Sequence, residues 1–137
     1  MLNKIQGNFQ NITLNLLRIV SGFLLIPHGA QKLFGLFGGF GGKAGATAPL
    51  FSLMGPAGVL EFFGGLAILF GVFTRPVAFI LSGEMAIAYF MAHIPMGFWP
   101  LLNHGELAAL YSFIFLFLAA VGGGNLSIDE LIKKKKG

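Results

Sequence analysis

Four long apolar stretches, each carrying few charges, limit what this chain can fold into. They run over residues 13–34, 56–73, 77–94 and 105–121. An α-helix needs about 20 apolar residues, with a range of roughly 17–25, to cross the hydrocarbon core of a bilayer. A soluble helix needs a polar face, and the runs Phe62–Phe73 and Leu107–Ala120 offer almost none. The pattern therefore predicts an all-α fold, an integral membrane four-helix bundle, with residues 1–137 as a single domain.

The composition agrees with a membrane protein and excludes several other classes. The chain is 55% hydrophobic and 10% charged, whereas an average soluble domain is about 25% charged. Because it has no cysteine, it has no disulfide framework, thiolate metal ligand or dithiol redox centre. Four of the nine basic residues form the run Lys133–Lys136. Since no basic stripe occurs elsewhere, nucleic acid is not a predicted partner. The apolar composition makes the lipid bilayer the predicted partner.

The lysines and arginines predict the orientation of the four spans. Four crossings place both ends of the chain and the Arg75 turn on one side of the membrane. That side has Lys4, Arg18, Arg75 and the four lysines Lys133–Lys136, which makes seven basic residues, and the other side has only Lys32 and Lys43. The positive-inside rule therefore predicts that both termini are cytoplasmic. Trp99 then lies at the outer interface, where aromatic residues are enriched.

Several ionisable residues lie inside or beside the apolar stretches. A charge at the centre of a membrane costs about 2.5–3.5 kcal/mol on insertion scales, and such residues usually face a polar interior. Helical periodicity of about 100° per residue places Arg18, His28 and Lys32 on one broad face of the first helix. These ionisable residues are predicted to lie at two depths. One set lies in the outer half of the membrane, and Glu84 lies deeper, at a level that Arg18 can reach. The outer set comprises His28, Lys32, Glu61, His93, His104 and Glu106.

Simpler explanations remain open for some of these residues. Arg18 and Glu84 are predicted to form a buried ion pair that fixes the helix register. Lys32 can extend outward to water or headgroups, and Glu106 can be an acid in the first turn of a helix, where the helix dipole favours it. Glu84 and His93 are nine residues apart, so on a regular helix they face opposite sides.

The segment Gly35–Gly55 is rich in glycine and contains Phe37, Phe40 and Phe51. It lacks the spacing of a phosphate-binding loop. Loops of this length in compact domains are commonly lids or disordered segments. We expect either a lid over the outer mouth of the bundle, with a short helix capped by Thr47, or a re-entrant segment at the membrane interface.

Neither a haem nor a metal ion is expected. A b-type haem needs two facing histidines, and His28 and His93 differ in predicted depth. The cluster of His93, His104 and Glu106 lacks the tight spacing of a metal site. We therefore expect that the isolated protein is colourless.

The motifs of the chain resemble those of the DoxX family along nearly its whole length. The resemblance rests on Arg18–Gly22, His28–Gly35, the glycine-rich segment, Glu61–Gly65, Gly71–Pro76, Gly105–Glu106 and Gly122–Asp129. It implies a small four-helix protein of the bacterial inner membrane. Members are similar to the DoxD part of thiosulfate:quinone oxidoreductase, and some are linked to redox-stress complexes.

Together, the polar residues and the resemblance favour a membrane subunit of a quinone-linked oxidoreductase system. A quinone or lipid-like ligand is expected in an outward-facing polar pocket beneath the glycine-rich segment. The catalytic candidates are Glu61, Glu106 and His28, and the ligand-binding candidates are Lys32, His93, His104 and Trp99. A carboxylate near a histidine in an apolar site is suited to proton transfer. A protein partner in a membrane redox complex and a homo-oligomer are both compatible with this role. A lipid-modifying or isomerase-like enzyme, a small-molecule carrier and a purely structural subunit remain alternatives.

Overall fold

The computed structural model describes residues 1–137 and contains six helices and no strand. The helices are α1 (Leu2–Phe34), α2 (Met54–Phe70), α3 (Thr74–Met96), α4 (Pro100–Asn103), α5 (Glu106–Val121) and α6 (Ile128–Lys136). The all-α prediction is confirmed, and the four apolar stretches lie largely within α1, α2, α3 and α5. The sequence did not predict α4, α6 or the extension of α1 to Leu2.

The four long helices pack as two pairs, α1 with α2 and α3 with α5. Smaller contacts between α2 and α3, and between α1 and α5, join the pairs. In the second pair, Ser82 Oγ donates to the Ser112 carbonyl at 2.8 Å, and Ser112 Oγ donates to the Ser82 carbonyl at 3.0 Å. The core is formed by Leu25, Ile68, Ala78, Leu81, Met85, Tyr111, Phe115 and Leu118.

The distribution of polar residues is the reverse of that in a soluble protein. Many phenylalanines point outward, while the buried residues include Asn15, Arg18, Ser21, Glu61, Thr74, Ser82, Asn103 and Ser127. An exterior this apolar suits lipid rather than water. The helices α1 and α3 are long and apolar enough to cross a membrane, whereas α2 and α5 are shorter apolar helices. By length and composition, crossing is thus supported for α1 and α3, and crossing by α2 and α5 is a proposal.

Helices α1 and α2 approach each other through glycines. A Cβ atom on Gly29 would lie 2.3 Å from the Phe62 backbone nitrogen, and one on Gly22 would lie 2.5 Å from the Leu69 nitrogen. Small residues allow this kind of close backbone contact between membrane helices. The contact sets the separation of α1 and α2 near the site described below.

We expect Gly29→Ala to lower the free energy of unfolding by about 1–3 kcal/mol, because the added methyl group meets backbone atoms that cannot rotate away. The matched control is Gly83→Ala in α3, where a Cβ atom meets nothing within 4 Å. Thermal unfolding of both variants in detergent measures the difference. Equal stability of the two variants would contradict the close helix contact.

The segment Gly35–Gly55 folds back over the C-terminal end of α1. The Ala48 amide donates to the Lys32 carbonyl at 2.7 Å, and Ala48 is buried. The predicted short helix capped by Thr47 is absent: turns lead from Pro49 into the start of α2. The segment thus covers the last turn of α1, where Lys32 lies.

Candidate functional site

A buried ion pair between α1 and α2 is the centre of the candidate site. Lys32 Nζ donates directly to Glu61 Oε2, and the two side chains are only 16% and 7% exposed. Lys32 lies in the last turn of α1, and Glu61 lies near the middle of α2. An isolated charge of either sign is costly in an apolar interior, so each side chain can be buried only because the other supplies the opposite charge.

Local backbone geometry brings the two side chains together. Glu61 lies in a π-helical turn, Leu60–Gly64, within α2. Such turns insert an extra residue into an α-helix and are frequent at functional sites. Three residues before Glu61 on the same helix, a Cβ atom on Gly58 would lie 2.9 Å from Lys32 Cβ, so only glycine allows α1 and α2 to approach this closely here.

Glu84 of α3 and Tyr111 of α5 complete the site. Glu84 Oε2 is buried and has no hydrogen-bond partner. The π-helical turn that contains Glu61 packs against the part of α3 that contains Glu84, and Tyr111 packs in the core with Leu81 and Met85, on either side of Glu84 along α3. Each of the four long helices therefore contributes one polar group: Lys32, Glu61, Glu84 and Tyr111. Sequence reasoning missed Tyr111, although a tyrosine within the otherwise apolar stretch 107–120 was a usable signal.

The predicted ion pair between Arg18 and Glu84 is wrong. Arg18 is 1% exposed and binds backbone carbonyls instead: its Nε donates to Gly123 at 2.7 Å, and its Nη1 donates to Ile68 at 2.9 Å and to Leu69. The carbonyls in the last turn of α2 carry the negative end of the helix dipole, so they attract a cation. Ile68 is seven residues beyond Glu61, about 10 Å along the helix. Arg18 therefore donates to these carbonyls, and no ion pair joins it to Glu84.

Two other predicted members of the pocket lie apart from Lys32 and Glu61. His28 is exposed on α1, because one helical turn places it about 40° from Lys32, toward the uncovered side. Glu106 is exposed at the start of α5. It lines a surface concavity of about 330 Å³ together with Pro100, Ala109, Leu110 and Phe113. No hydrogen bond or ion pair joins His28 or Glu106 to the buried pair.

The remaining ligand-binding candidates lie around α4. His93 Nδ1 is 2.9 Å from the Asn103 carbonyl oxygen, and its ring stacks near Tyr89. His93 is the last residue of a second π-helical turn, Tyr89–His93, so the assumption of a regular helix between Glu84 and His93 does not hold. His104 and Trp99 are both exposed. No three His, Asp or Glu side chains form a group that could hold a metal ion.

An apolar groove lies between α2 and α3, beside the polar site. Its volume is about 240 Å³, and seven of its eight lining residues are hydrophobic. The lining consists of Val59, Leu60, Phe63, Gly64, Ala67, Val77, Ile80 and Leu81. Leu60 precedes Glu61, and Leu81 is one helical turn from Glu84, so the groove runs along the two helices that supply these carboxyl groups.

Comparison with known proteins gives one family and several relatives. The family model described as DoxX matches residues 13–94. A Haemophilus influenzae protein named "Uncharacterized protein" is 41% identical over 87% of this chain and 90% of its own length. The inner membrane protein YqjF of Escherichia coli is 37% identical over 86% of this chain and 90% of its own length. A Bacillus subtilis protein named "Putative oxidoreductase CatD" is 26% identical over 88% of this chain and 87% of its own length. No solved structure matches.

Proposed function

The chain belongs to the DoxX family of membrane proteins, and we propose that it is the membrane subunit of a quinone-linked oxidoreductase system. The observation that carries the proposal is the buried Lys32–Glu61 pair beside the unpartnered Glu84 oxygen, inside an otherwise apolar bundle. One relative bears the name "Putative oxidoreductase CatD", and we extend that class of activity to this chain.

The polar groups of the site fit the head of a quinone. A quinone carbonyl oxygen accepts hydrogen bonds, and Lys32 supplies an ammonium donor. Reduction of a quinone adds protons to its oxygens, and carboxyl groups such as Glu61 and Glu84 can hold and transfer protons. The free Glu84 Oε2 leaves one buried polar atom whose hydrogen bond a ligand would complete. The electrons would come from a redox protein partner, since this chain has no cysteine and hence no redox-active dithiol.

The groove between α2 and α3 fits the apolar part of such a ligand. Ligand sites are typically apolar clefts with a few polar groups that fix the orientation of the ligand. An isoprenoid or acyl tail in the groove would replace lipid contacts along Phe63 and Ile80, while the ring would lie toward Glu61 and Glu84.

The proposal places the chain in the bacterial inner membrane, with four crossings and cytoplasmic termini. The fold groups the α2–α3 turn with the start of α6, since the Asp129 amide donates to the Gly71 carbonyl at 2.9 Å. This end of the bundle has the larger number of basic residues, as the positive-inside rule requires. The helices α2 and α5 would cross with local thinning of the bilayer.

Binding of decylubiquinone to the protein in lipid nanodiscs tests the function. We expect retention above that of empty discs in equilibrium dialysis. The double variant Lys32→Met with Glu61→Gln removes both charges together and should weaken binding at least tenfold, since a hydrogen bond to a charged group contributes about 1.5–3 kcal/mol. Glu106→Gln is the matched control, because Glu106 is exposed and outside the site. Binding equal to that of empty discs, or equal losses in both variants, would reject the proposal.

A further inference from the structure

The helix α6 has an apolar face and a basic end that the bundle leaves uncovered. Ile128, Leu131 and Ile132 follow the i, i+3, i+4 spacing of one helix face, and all three are exposed. The lysines Lys133–Lys136 are exposed as well. Within this short helix, the two halves thus differ: apolar side chains come first and positive charges follow.

The base of α6 is held firmly at one end of the bundle. The Asp129 carboxylate accepts from the Phe73 amide at 2.7 Å and from the Thr74 amide at 2.8 Å. The Ser127 hydroxyl caps the helix by accepting from the Glu130 amide at 3.3 Å. These bonds fix where α6 begins, at the turn between α2 and α3, but α6 itself makes little contact with the other helices.

We propose that α6 lies on a bilayer surface rich in anionic lipid. Its apolar face would enter the boundary between headgroups and acyl chains, and its lysines would bind lipid phosphates. A nine-residue helix is too short to be stable by itself in water. Amphipathic basic helices gain stability at such an interface from apolar burial and from attraction to anionic lipids.

The charges of α6 suit this partner. Asp129 is turned toward the amides of α3, and Glu130 lies 3.6 Å from Lys133. Three lysines, Lys134–Lys136, therefore have no acidic partner on the protein. An anionic leaflet supplies the complementary charge, and the location at the end of the apolar bundle places α6 at headgroup level. This inference requires the membrane location but not the quinone site.

A single fluorescent label tests the location of α6. Because the chain has no cysteine, Leu131→Cys can carry an environment-sensitive dye at a unique position. We expect a blue-shifted emission in nanodiscs that contain phosphatidylglycerol, compared with discs of phosphatidylcholine alone, and a smaller shift at high salt. Changing Lys133–Lys136 to glutamine should lower the ratio of inserted to exposed α6 by roughly fivefold per lysine, the equivalent of about 1 kcal/mol each.

Two controls separate this effect from general changes in the discs. A dye at Phe117→Cys, on the exposed face of α5, should report an apolar environment in both kinds of disc. Lys43→Gln removes an exposed lysine at the other end of the bundle and should leave the Leu131→Cys signal unchanged. The same emission in both kinds of disc, or an unchanged shift after loss of the four lysines, would overturn the proposal. Either result would also be expected if the lysines bound a protein partner instead.

Discussion

Replacing Glu61 with glutamine is expected to destabilise the protein more than replacing Glu61 and Lys32 together. Glu61→Gln leaves the Lys32 ammonium buried without a counter-charge. Breaking a buried ion pair by removing one partner costs about 3–5 kcal/mol, whereas replacing both partners with uncharged groups is often close to neutral. The double variant Glu61→Gln with Lys32→Met should therefore recover most of the lost free energy of unfolding. Unfolding of the parent, both single variants and the double variant in detergent gives the coupling energy.

The exposed pair Glu130–Lys133 provides a matched control for this experiment. Its atoms are 3.6 Å apart, and its side chains are 38% and 76% exposed. A pair of this kind contributes about 0.2–1 kcal/mol. The same four-variant comparison at Glu130 and Lys133 should then give a coupling energy several times smaller. If the effects of Glu61→Gln and Lys32→Met simply add, the two residues do not form a buried pair.

The helices were largely predictable from the sequence because each long helix contains an apolar stretch. The prediction failed mainly at helix ends. We predicted that the second helix continues to Phe73, but Gly71 adopts a left-handed backbone with φ 71° and ends α2 at Phe70. Glycine is the usual residue at this position, so the signal was present. The early start of α3 had no local signal, because its capping carboxylate comes from Asp129, far along the chain.

The helix α6 could have been found from its sequence. Ser127 and Glu130 have the spacing of a capping box, Asp129 and Glu130 lie in the first turn, and lysines fill the last turn. We interpreted Lys133–Lys136 only as a run of positive charge and therefore did not predict a helix here. The polar start of α1 was missed for another reason: once a helix is formed, extending it by further residues has little cost.

The candidate site was only partly predictable. Opposite charges in the first and second apolar stretches indicated that Lys32 and Glu61 could meet, and the structure joins them. The π-helical turn at Leu60–Gly64 has no recognised sequence signature and changes which side chains face the interior. Arg18 was assigned an acidic partner because acidic side chains are visible in a sequence. Its actual partners are backbone carbonyls, which every residue has and no motif marks.

Replacing Arg18 with methionine is expected to cause a comparably large loss of stability at the other end of the bundle. The guanidinium joins α1 to the end of α2, through Ile68 and Leu69, and to Gly123 beyond α5. Methionine fills part of the volume but leaves these carbonyls without their donors. Each hydrogen bond to a charged group contributes about 1.5–3 kcal/mol, so we expect a loss of at least about 3 kcal/mol in the free energy of unfolding. Arg18→Lys should recover part of it, because an ammonium keeps the charge but lacks the planar fork of donors.

Arg75→Met is the matched control for this prediction. Arg75 also donates to two backbone carbonyls, those of Ala119 at 3.0 Å and Ala120 at 2.6 Å, but it is exposed. Water can replace its hydrogen bonds, so the loss should be about 1 kcal/mol or less. Thermal and denaturant unfolding of the three variants in the same detergent tests the order Arg18→Met, Arg18→Lys, Arg75→Met from least to most stable. A loss at Arg18 no larger than that at Arg75 would mean that the buried guanidinium does not hold α1, α2 and the segment after α5 together.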